Sequence, residues 1–204
     1  MGVRQKRAKY REEFRGEILD AARELFITEG YEKFSMRKLA EKIDYSPTTI
    51  YLYFKDKDDL LLAICEEVAE QYFANLNRIR EHRIDPLDTL RQALLYLIEF
   101  GFNNPNEYKV FFFTSPAVYG TPEEFMEKES MARNSYLIFR DIVQDCIDAG
   151  RLQEMDIAPL TQTLAVAVHG LIVMTIYRRN FPWADRNMLA QNLVDGLLRG
   201  YQKR

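Results

Sequence analysis

An all-α fold is what this 204-residue sequence predicts, and three observations predict it. Apolar residues recur at three- and four-residue steps through most of the chain, the spacing of one helix face. The breaks between those stretches carry helix punctuation: Ser46-Pro47 and Asp85-Pro86 pair a cap residue with proline, and Gly30 and Gly150 stand where a stripe ends. Only one stretch, TTIYLYF within Ser46–Lys57, reads as a strand by propensity, since β-branched residues and aromatics alternate there. Its Ser-Pro start overrules that reading. About nine helices are expected, as a small N-terminal group of three and a larger C-terminal helical part, with no repeat and no low-complexity tract.

The elements follow in order. Phe14, Ile18, Ala21, Ala22, Leu25 and Phe26 form a helical stripe that Gly30 ends, a residue suited to a left-handed cap. Ser35 is an N-cap candidate, and Met36, Leu39, Ala40 and Ile43 make a second, short helix at i, i+3, i+4, i+7. Asp44-Tyr45 is the turn, and Ser46-Pro47 opens a third helix with Ile50, Tyr53 and Phe54 on one face. Two short helices joined by so tight a turn make a helix-turn-helix, whose second helix enters a DNA major groove.

Beyond it, Leu60, Leu61, Ile64, Val68, Tyr72 and Leu76 predict a long helix from Lys57 to about Arg83. Asp85-Pro86 starts another, with Leu90, Leu94, Leu97, Ile98 and Phe102 on its face. Asn103–Asn106 is a break, Tyr108–Phe113 a short helix, and Ser115-Pro116 and Gly120-Thr121-Pro122 frame a loop. A long helix is expected from Glu123 to about Ala149. Ala158–Arg179 is apolar around its circumference, Phe181-Pro182-Trp183 turns the chain, and Asp185–Tyr201 closes it with Leu189, Leu193, Leu197 and Leu198.

Charge is unevenly placed. Of 28 Lys and Arg, 13 fall in residues 1–57 against 10 of the 31 Asp and Glu, which leaves 15 and 21 for the remainder. Arg4, Lys6, Arg7, Lys9, Arg11 and Arg15 face only Glu12 and Glu13 in the first fifteen residues. A basic arm on residues 1–14 beside an acidic larger part suits a chain that meets a polyanion with one end. Cys65 and Cys146 lack CxxC spacing and read as buried free thiols. His82 and His169 match no metal-ligand spacing, and no nucleophile–base pair, phosphate loop or paired carboxylates point to an enzyme. Neither a metal nor a cofactor is expected. The N-terminus is charged, and no uninterrupted apolar run reaches the roughly 18 residues of a membrane span, so a cytoplasmic chain without membrane contact is expected.

The segment ILDAARELFITEGYEKFSMRKLAEKIDYSPTTIYLYFKDKDDLL resembles the DNA-binding domain of the TetR family of bacterial transcriptional regulators. The matching features span about Arg15 to Leu62: the AA..LF...G helix, S-x-R-x-L-A, S-x-x-T-I-Y-x-Y-F, and K-x-D-L. Asp44 departs from the glycine usual in that turn, and aspartate tolerates the left-handed conformation better than most residues. AVAVHGLIVM resembles a subgroup that carries Trp and then His-Gly in this helix, with Val166 here near the tryptophan's place.

The resemblance implies a helix-turn-helix DNA-binding domain at 15–57 and a ligand-binding and dimerisation domain at 58–204. It implies base contacts by Arg37, Thr48, Thr49 and Tyr51, and phosphate contacts by Ser35, Ser46, Tyr53, Lys55 and Lys57. Arg4, Lys6 and Arg7 would follow the backbone or the minor groove. A homodimer is implied, with Leu164, Leu171, Trp183, Leu189, Leu193 and Leu197 at its interface and a palindromic double-stranded operator. A pocket for a small, apolar effector would draw on Phe100, Tyr108, Phe111, Phe112, Tyr136, Phe139 and His169, and its filling would release the operator. The functional expectation is a sequence-specific repressor; the alternative is a TetR-like small-molecule-binding or adaptor protein without operator binding.

Overall fold

The structure, a computed structural model, describes residues 2–82, 85–113 and 116–203, and among these it holds ten α-helices, two short 3-10 turns and no strand. Arg83 and Ser115, at an expected helix end and an expected loop, lie outside the described residues. The chain divides into two compact units. One is Met1–Val68 with Lys109–Lys128, and the other is Ala69–Tyr108 with Glu129–Arg204. The division therefore differs from a single cut at residue 57, because a later segment joins the N-terminal core.

In the first unit, α1 (Val3–Glu29) buries Phe14, Ile18, Leu19, Ala21, Ala22, Leu25 and Phe26. The apolar stripe begins at Phe14, but the helix begins at Val3. Arg, Gln, Lys, Ala and Glu between them are strong helix formers, so the basic arm continues the helix without a core contact. Gly30 ends it at φ 80°, ψ 164°, a conformation open only to glycine and different from the left-handed cap expected. A 3-10 turn at Tyr31–Lys33 then leads to α2 (Met36–Lys42), capped by Ser35, whose hydroxyl accepts the Lys38 N–H at 3.2 Å.

The turn after α2 is closed by Tyr45 N–H to Ala40 C=O at 2.9 Å and Asp44 N–H to Glu41 C=O at 3.5 Å, the two bonds of a Schellman ending. Asp44 sits there at φ 59°, and among the described residues no other non-glycine has positive φ. Helix α3 (Pro47–Tyr51) is one turn long, with Ser46 accepting the Thr49 N–H at 3.2 Å and Pro47 in its first turn. Tyr53 and Phe54 follow it, both bonding back to the Ile50 carbonyl at 2.9 and 3.1 Å. Ile50 at 0% and Phe54 at 2% exposure pin this short helix to the core, each burial contributing about 1.5–3 kcal/mol.

Helix α4 (Lys57–Glu81) starts on Asp56, whose carboxylate accepts the N–H groups of Asp58 and Asp59 at 3.0 and 2.9 Å. Its Leu60, Leu61, Ile64 and Cys65 complete the core of the first unit, with Val110 buried in the same cluster and Phe111, Val118 and Tyr119 packed against it. The Tyr119 hydroxyl donates to Glu66 at 3.2 Å. Burial pushes the Cys65 thiol up to about 12.

The second unit is built on α5 (Pro86–Asn103), which packs against α8 (Met131–Asp148), α9 (Ile157–Tyr177) and α10 (Arg186–Tyr201). Helix α6 (Pro105–Phe113) follows α5, and α7 (Pro122–Glu127) precedes α8. The expected single helix from Glu123 to Ala149 is thus two. Thr121 and Glu124 form a capping box that starts α7, and the Ser130 hydroxyl accepts the Arg133 N–H at 3.1 Å to start α8 afresh.

Ion pairs tie the helices: Arg80 forks onto Asp145 at 2.9 and 3.1 Å, Arg91 meets Asp195 at 2.9 Å, and Arg151 meets Asp85 at 3.0 Å. Leu152 and Gln202 form an isolated antiparallel bridge that fastens the chain's last residues. Cys146 is buried, its thiol pushed up to about 12 by burial.

Helices α5 and α9 approach closely at Gly101, where an added Cβ would lie 2.5 Å from the Ile172 side chain. Ile172 is fully buried, so its side chain must shift within the core to make room. Gly101→Ala is expected to lower unfolding free energy by about 1–2 kcal/mol in urea titrations, although alanine gains about 1 kcal/mol of helix propensity. Wild-type or higher stability would show that Ile172 moves aside freely.

Candidate nucleic-acid interface

Inward residues of α3 fix the direction of its outward ones. With Ile50 and Phe54 locked inside, Thr48 is exposed, Thr49 is half-buried, and Tyr51 projects at 54% exposure. The Thr49 hydroxyl lies 2.9 Å from that of Ser46, so the cap and the first turn share a polar cluster at the helix start. Arg37 is exposed at the start of α2, its guanidinium paired with Glu41 at 3.0 Å. Both partners are largely in solvent, and such a pair is worth a few tenths of a kcal/mol, so the fork is cheaply released to another acceptor. Arg37, Thr48, Thr49, Tyr51 and the Ser35 and Ser46 caps all belong to the first unit.

The remaining expected phosphate residues are more engaged. Tyr53 is half-buried, edge-on to Phe14 with ring centroids 5.2 Å apart, and Arg11 lies over its ring at 5.7 Å. Lys57 places its ammonium 3.9 Å from the centre of the Tyr31 ring, and Tyr31 in turn donates its hydroxyl to Asp58. That bond to a carboxylate pushes the Tyr31 phenol up to about 12. Lys55 is exposed, with its backbone N–H bound to Asp59 at 2.9 Å. Arg4, Lys6 and Arg7 are exposed on the free first turns of α1.

Two further exposed side chains stand beside these residues. Tyr45 is 39% exposed just before the Ser46 cap, its ring 4.4 Å from Phe14, and the hydrogen bond its hydroxyl shares with Tyr10 raises its phenol above the ordinary range. Leu52 is 71% exposed at the end of α3. The only signal for Tyr45 was its place beside the Ser-Pro cap; Leu52 stood in a stretch that looked like a strand.

A family model described as bacterial regulatory proteins of the tetR family matches residues 18–64, and one described as the tetracyclin repressor-like C-terminal domain matches residues 90–197. The chain belongs to the TetR family. It is a DNA-binding transcriptional regulator.

The chain is 27% identical over 154 residues to the fatty acid metabolism regulator protein of Bacillus subtilis, covering 74% of this chain and 75% of that one. Its fold is similar to the solved fatty acid regulator FadR of Bacillus subtilis in complex with stearoyl-CoA, at TM-score 0.75 and 20% identity over 90% of this chain and 97% of the other. A TetR family regulator from Marinobacter aquaeolei is equally similar, at TM-score 0.75 and 20% identity over 97% of this chain and all of the other, 100%.

In this TetR-family chain the aromatic residues expected around a pocket are assigned to both units. Phe111 and Phe112 belong to the first unit, edge-on to each other at 4.6 Å; Phe100, Tyr108, Tyr136, Phe139 and His169 belong to the second. Within the second unit Tyr72 stacks on Tyr96 at 5.5 Å and leans toward Phe100 at 6.4 Å. Tyr108, at 1% exposure, bonds through its hydroxyl to Nδ1 of His169. Phe139 is buried at 7% and Tyr136 is half-buried.

Two grooves of the second unit lie elsewhere. One of about 380 Å³ is lined by Leu95, Ile98, Phe102 and Ala190, and one of about 390 Å³ by Phe102, Thr175, Trp183 and the guanidinium-bearing Arg179 and Arg186.

Burial holds His169 down to about 4, so at neutral pH the ring is uncharged and can accept the Tyr108 hydroxyl hydrogen at Nδ1. The unfolded chain protonates this histidine below about 6.5 while the folded chain does not, so stability is level above 6.5 and falls as pH drops toward 4. His169→Gln is expected to remove up to about 2–3 kcal/mol of that fall, read as the difference between the two proteins' urea stabilities across pH 4–7. Parallel curves for the two proteins would rule the histidine out as a source.

Proposed function

We propose that the protein is a homodimeric repressor that grips a palindromic operator with α2 and α3 of each protomer and lets go when a small apolar effector binds. In this reading residues 15–57 read DNA, residues 58–204 supply effector response and dimerisation, and the protein works in a bacterial cytoplasm. The observation that carries it is the one-turn α3: its inner face is fully committed to the core, and its outer face offers Thr48, Thr49 and Tyr51 beside the exposed Arg37. A guanidinium can fork onto guanine O6 and N7, and hydroxyls and a methyl can meet other base edges. Ser35, Ser46, Tyr53, Lys55 and Lys57 surround them as phosphate contacts that position without reading sequence.

Two copies are supported by α9. This helix is apolar enough, by length and composition, to cross a membrane, yet only 28% of its apolar window is buried within the chain. Val166 at 69% and Tyr177 at 55% exposure stand on one face with Gly170 and Val173, at i, i+4, i+7 and i+11. A face of this kind is covered by a partner surface. Leu171, Trp183, Leu189, Leu193 and Leu197 are half-buried and fit its margin, whereas Leu164 is fully buried inside the protomer and is removed from the interface set. The dimer sets half-sites about 34 Å apart or a small multiple of that.

An effector with an acyl chain is supported by the 27% identity to a fatty acid metabolism regulator and by the aromatic residues of the second unit. Release requires only that the effector bind the DNA-free arrangement better: a hundredfold loss of operator affinity needs about 2.7 kcal/mol of differential affinity.

Selection from a random duplex library should return a two-fold symmetric site. Arg37→Ala and Tyr51→Ala should each relax base preference and cost about 1–3 kcal/mol on it, while Lys57→Ala should weaken all sequences alike. Specificity that survives both of the first two changes would move the reading surface elsewhere. Failure to select any sequence would favour a TetR-like binding or adaptor protein without an operator. A series of acyl-CoA thioesters added to the complex should release DNA more strongly as the chain lengthens, measured by fluorescence anisotropy; indifference to the whole series would exclude this effector class.

A further inference from the structure

The groove of about 390 Å³ lined from the ends of α5 and α9 and the start of α10 carries a chemistry that operator binding does not use. All of it belongs to the second unit. Phe102, Pro105 and Ile176 give it an apolar wall, and the remaining lining residues are Thr175, Arg179, Trp183 and Arg186. Two of those four have their polar atoms engaged. The Thr175 hydroxyl donates to the Leu171 and Ile172 carbonyls, each at 2.9 Å, and the Trp183 indole N–H donates to the Arg178 carbonyl at 3.0 Å. Two guanidiniums are left. Arg186 lies over the Phe102 ring at 5.5 Å, and among the described residues neither it nor Arg179 has a carboxylate partner.

The missing counter-charge is informative because the chain carries more acid than base from residue 58 onward. From Met174 to Ala184 there is no acidic residue. Asp185, beside Arg186, spends its carboxylate as the cap of α10, accepting the Met188 N–H at 2.9 Å. Arg178 is turned to the Phe181 ring at 5.6 Å and does not line the groove. Thr175 is buried on the side of α9 away from Val166, Gly170 and Tyr177, so the groove floor is not on the face given to a second protomer. Trp183 alone is shared with the margin of that face.

We propose that this groove is a binding site for a mononucleotide, its phosphate held between Arg179 and Arg186 and its base laid along the Phe102, Pro105 and Ile176 wall. Charge selects the phosphate. A phosphate monoester carries about −1.5 to −2 at pH 7, which two guanidiniums match, and each guanidinium fork bonds phosphate oxygens in pairs. Size selects a small ligand, since small-molecule cavities begin at about 300 Å³. The apolar wall favours a flat base over a bare sugar phosphate. The site shares no residue with the aromatic set expected to hold an apolar effector, and it stands whether or not the chain binds an operator.

Trp183 is the single tryptophan of the chain, so tryptophan emission reports on this groove. Full-length protein without DNA is titrated at fixed ionic strength with adenosine monophosphate, adenosine, ribose phosphate and inorganic phosphate, and equilibrium dialysis of labelled nucleotide gives a second readout. Adenosine monophosphate should change the emission saturably and bind about tenfold or more tightly than the other three. Arg179→Gln and Arg186→Gln should each weaken it roughly 10–100-fold, while Arg178→Gln, which removes the same charge outside the groove, should stay within about twofold of wild type. All three arginines are exposed, and circular dichroism with urea titration checks that each variant is folded.

Absence of saturable binding at millimolar nucleotide would overturn the site. Adenosine binding as tightly as its monophosphate, an unchanged affinity in either groove variant, or an equal loss in Arg178→Gln would overturn the phosphate clamp. Ribose phosphate binding as tightly as the nucleotide would overturn the assignment of the base to the wall. Because every titration is made without DNA, failure here and failure to select an operator are read separately.

Discussion

The rest of the structure's working surface depends on one constraint, the anchoring of α3 by Ile50 and Phe54. A five-residue helix has no stability of its own, since nucleation costs more than one turn returns. Two apolar side chains at 0% and 2% exposure therefore hold the geometry of everything outward of them. The Ser46 cap, Pro47 and the left-handed Asp44 narrow the ways the chain can enter that turn, but the core decides its orientation. Displacing either anchor would rotate Thr48, Thr49 and Tyr51 together.

Much of this was legible in the sequence, and the reasons are local. Ser46-Pro47 is an entry signal that outweighs the strand propensity of TTIYLYF, because a cap acts on specific orphan N–H groups while β propensity mostly reflects packing. The Phe14–Phe26 stripe and the i, i+3, i+4, i+7 residues of α2 are periodic enough to name the core positions directly. What escaped lacked such a signal. The arm from Val3 to Glu13 has no apolar stripe, so periodicity could not extend the helix to it, although its composition favours one. The break between α7 and α8 depends on a Ser130 cap without proline or glycine beside it.

The aromatic set was the least legible part. Clustering in sequence does not decide which side of a helix faces which core: Tyr108 bonds to His169 in the second unit while Phe111, three residues later, packs in the first. Likewise Leu164 and Val166 stand two apart on α9, which on a helix sends one into the protomer at 0% exposure and the other out at 69%. Hydrophobicity put Leu164 in the expected interface set and left Val166 out of it; burial reverses the two.

The two cysteines have a consequence of another kind. Cys65 and Cys146 are both enclosed, and burial pushes their thiols up to about 12, so at neutral pH both stay in the unreactive thiol form. The native sequence thus provides a quiet chemical background, on which a single new thiol placed on the arm or on the exposed face of α9 would report motion without competition from its own cysteines.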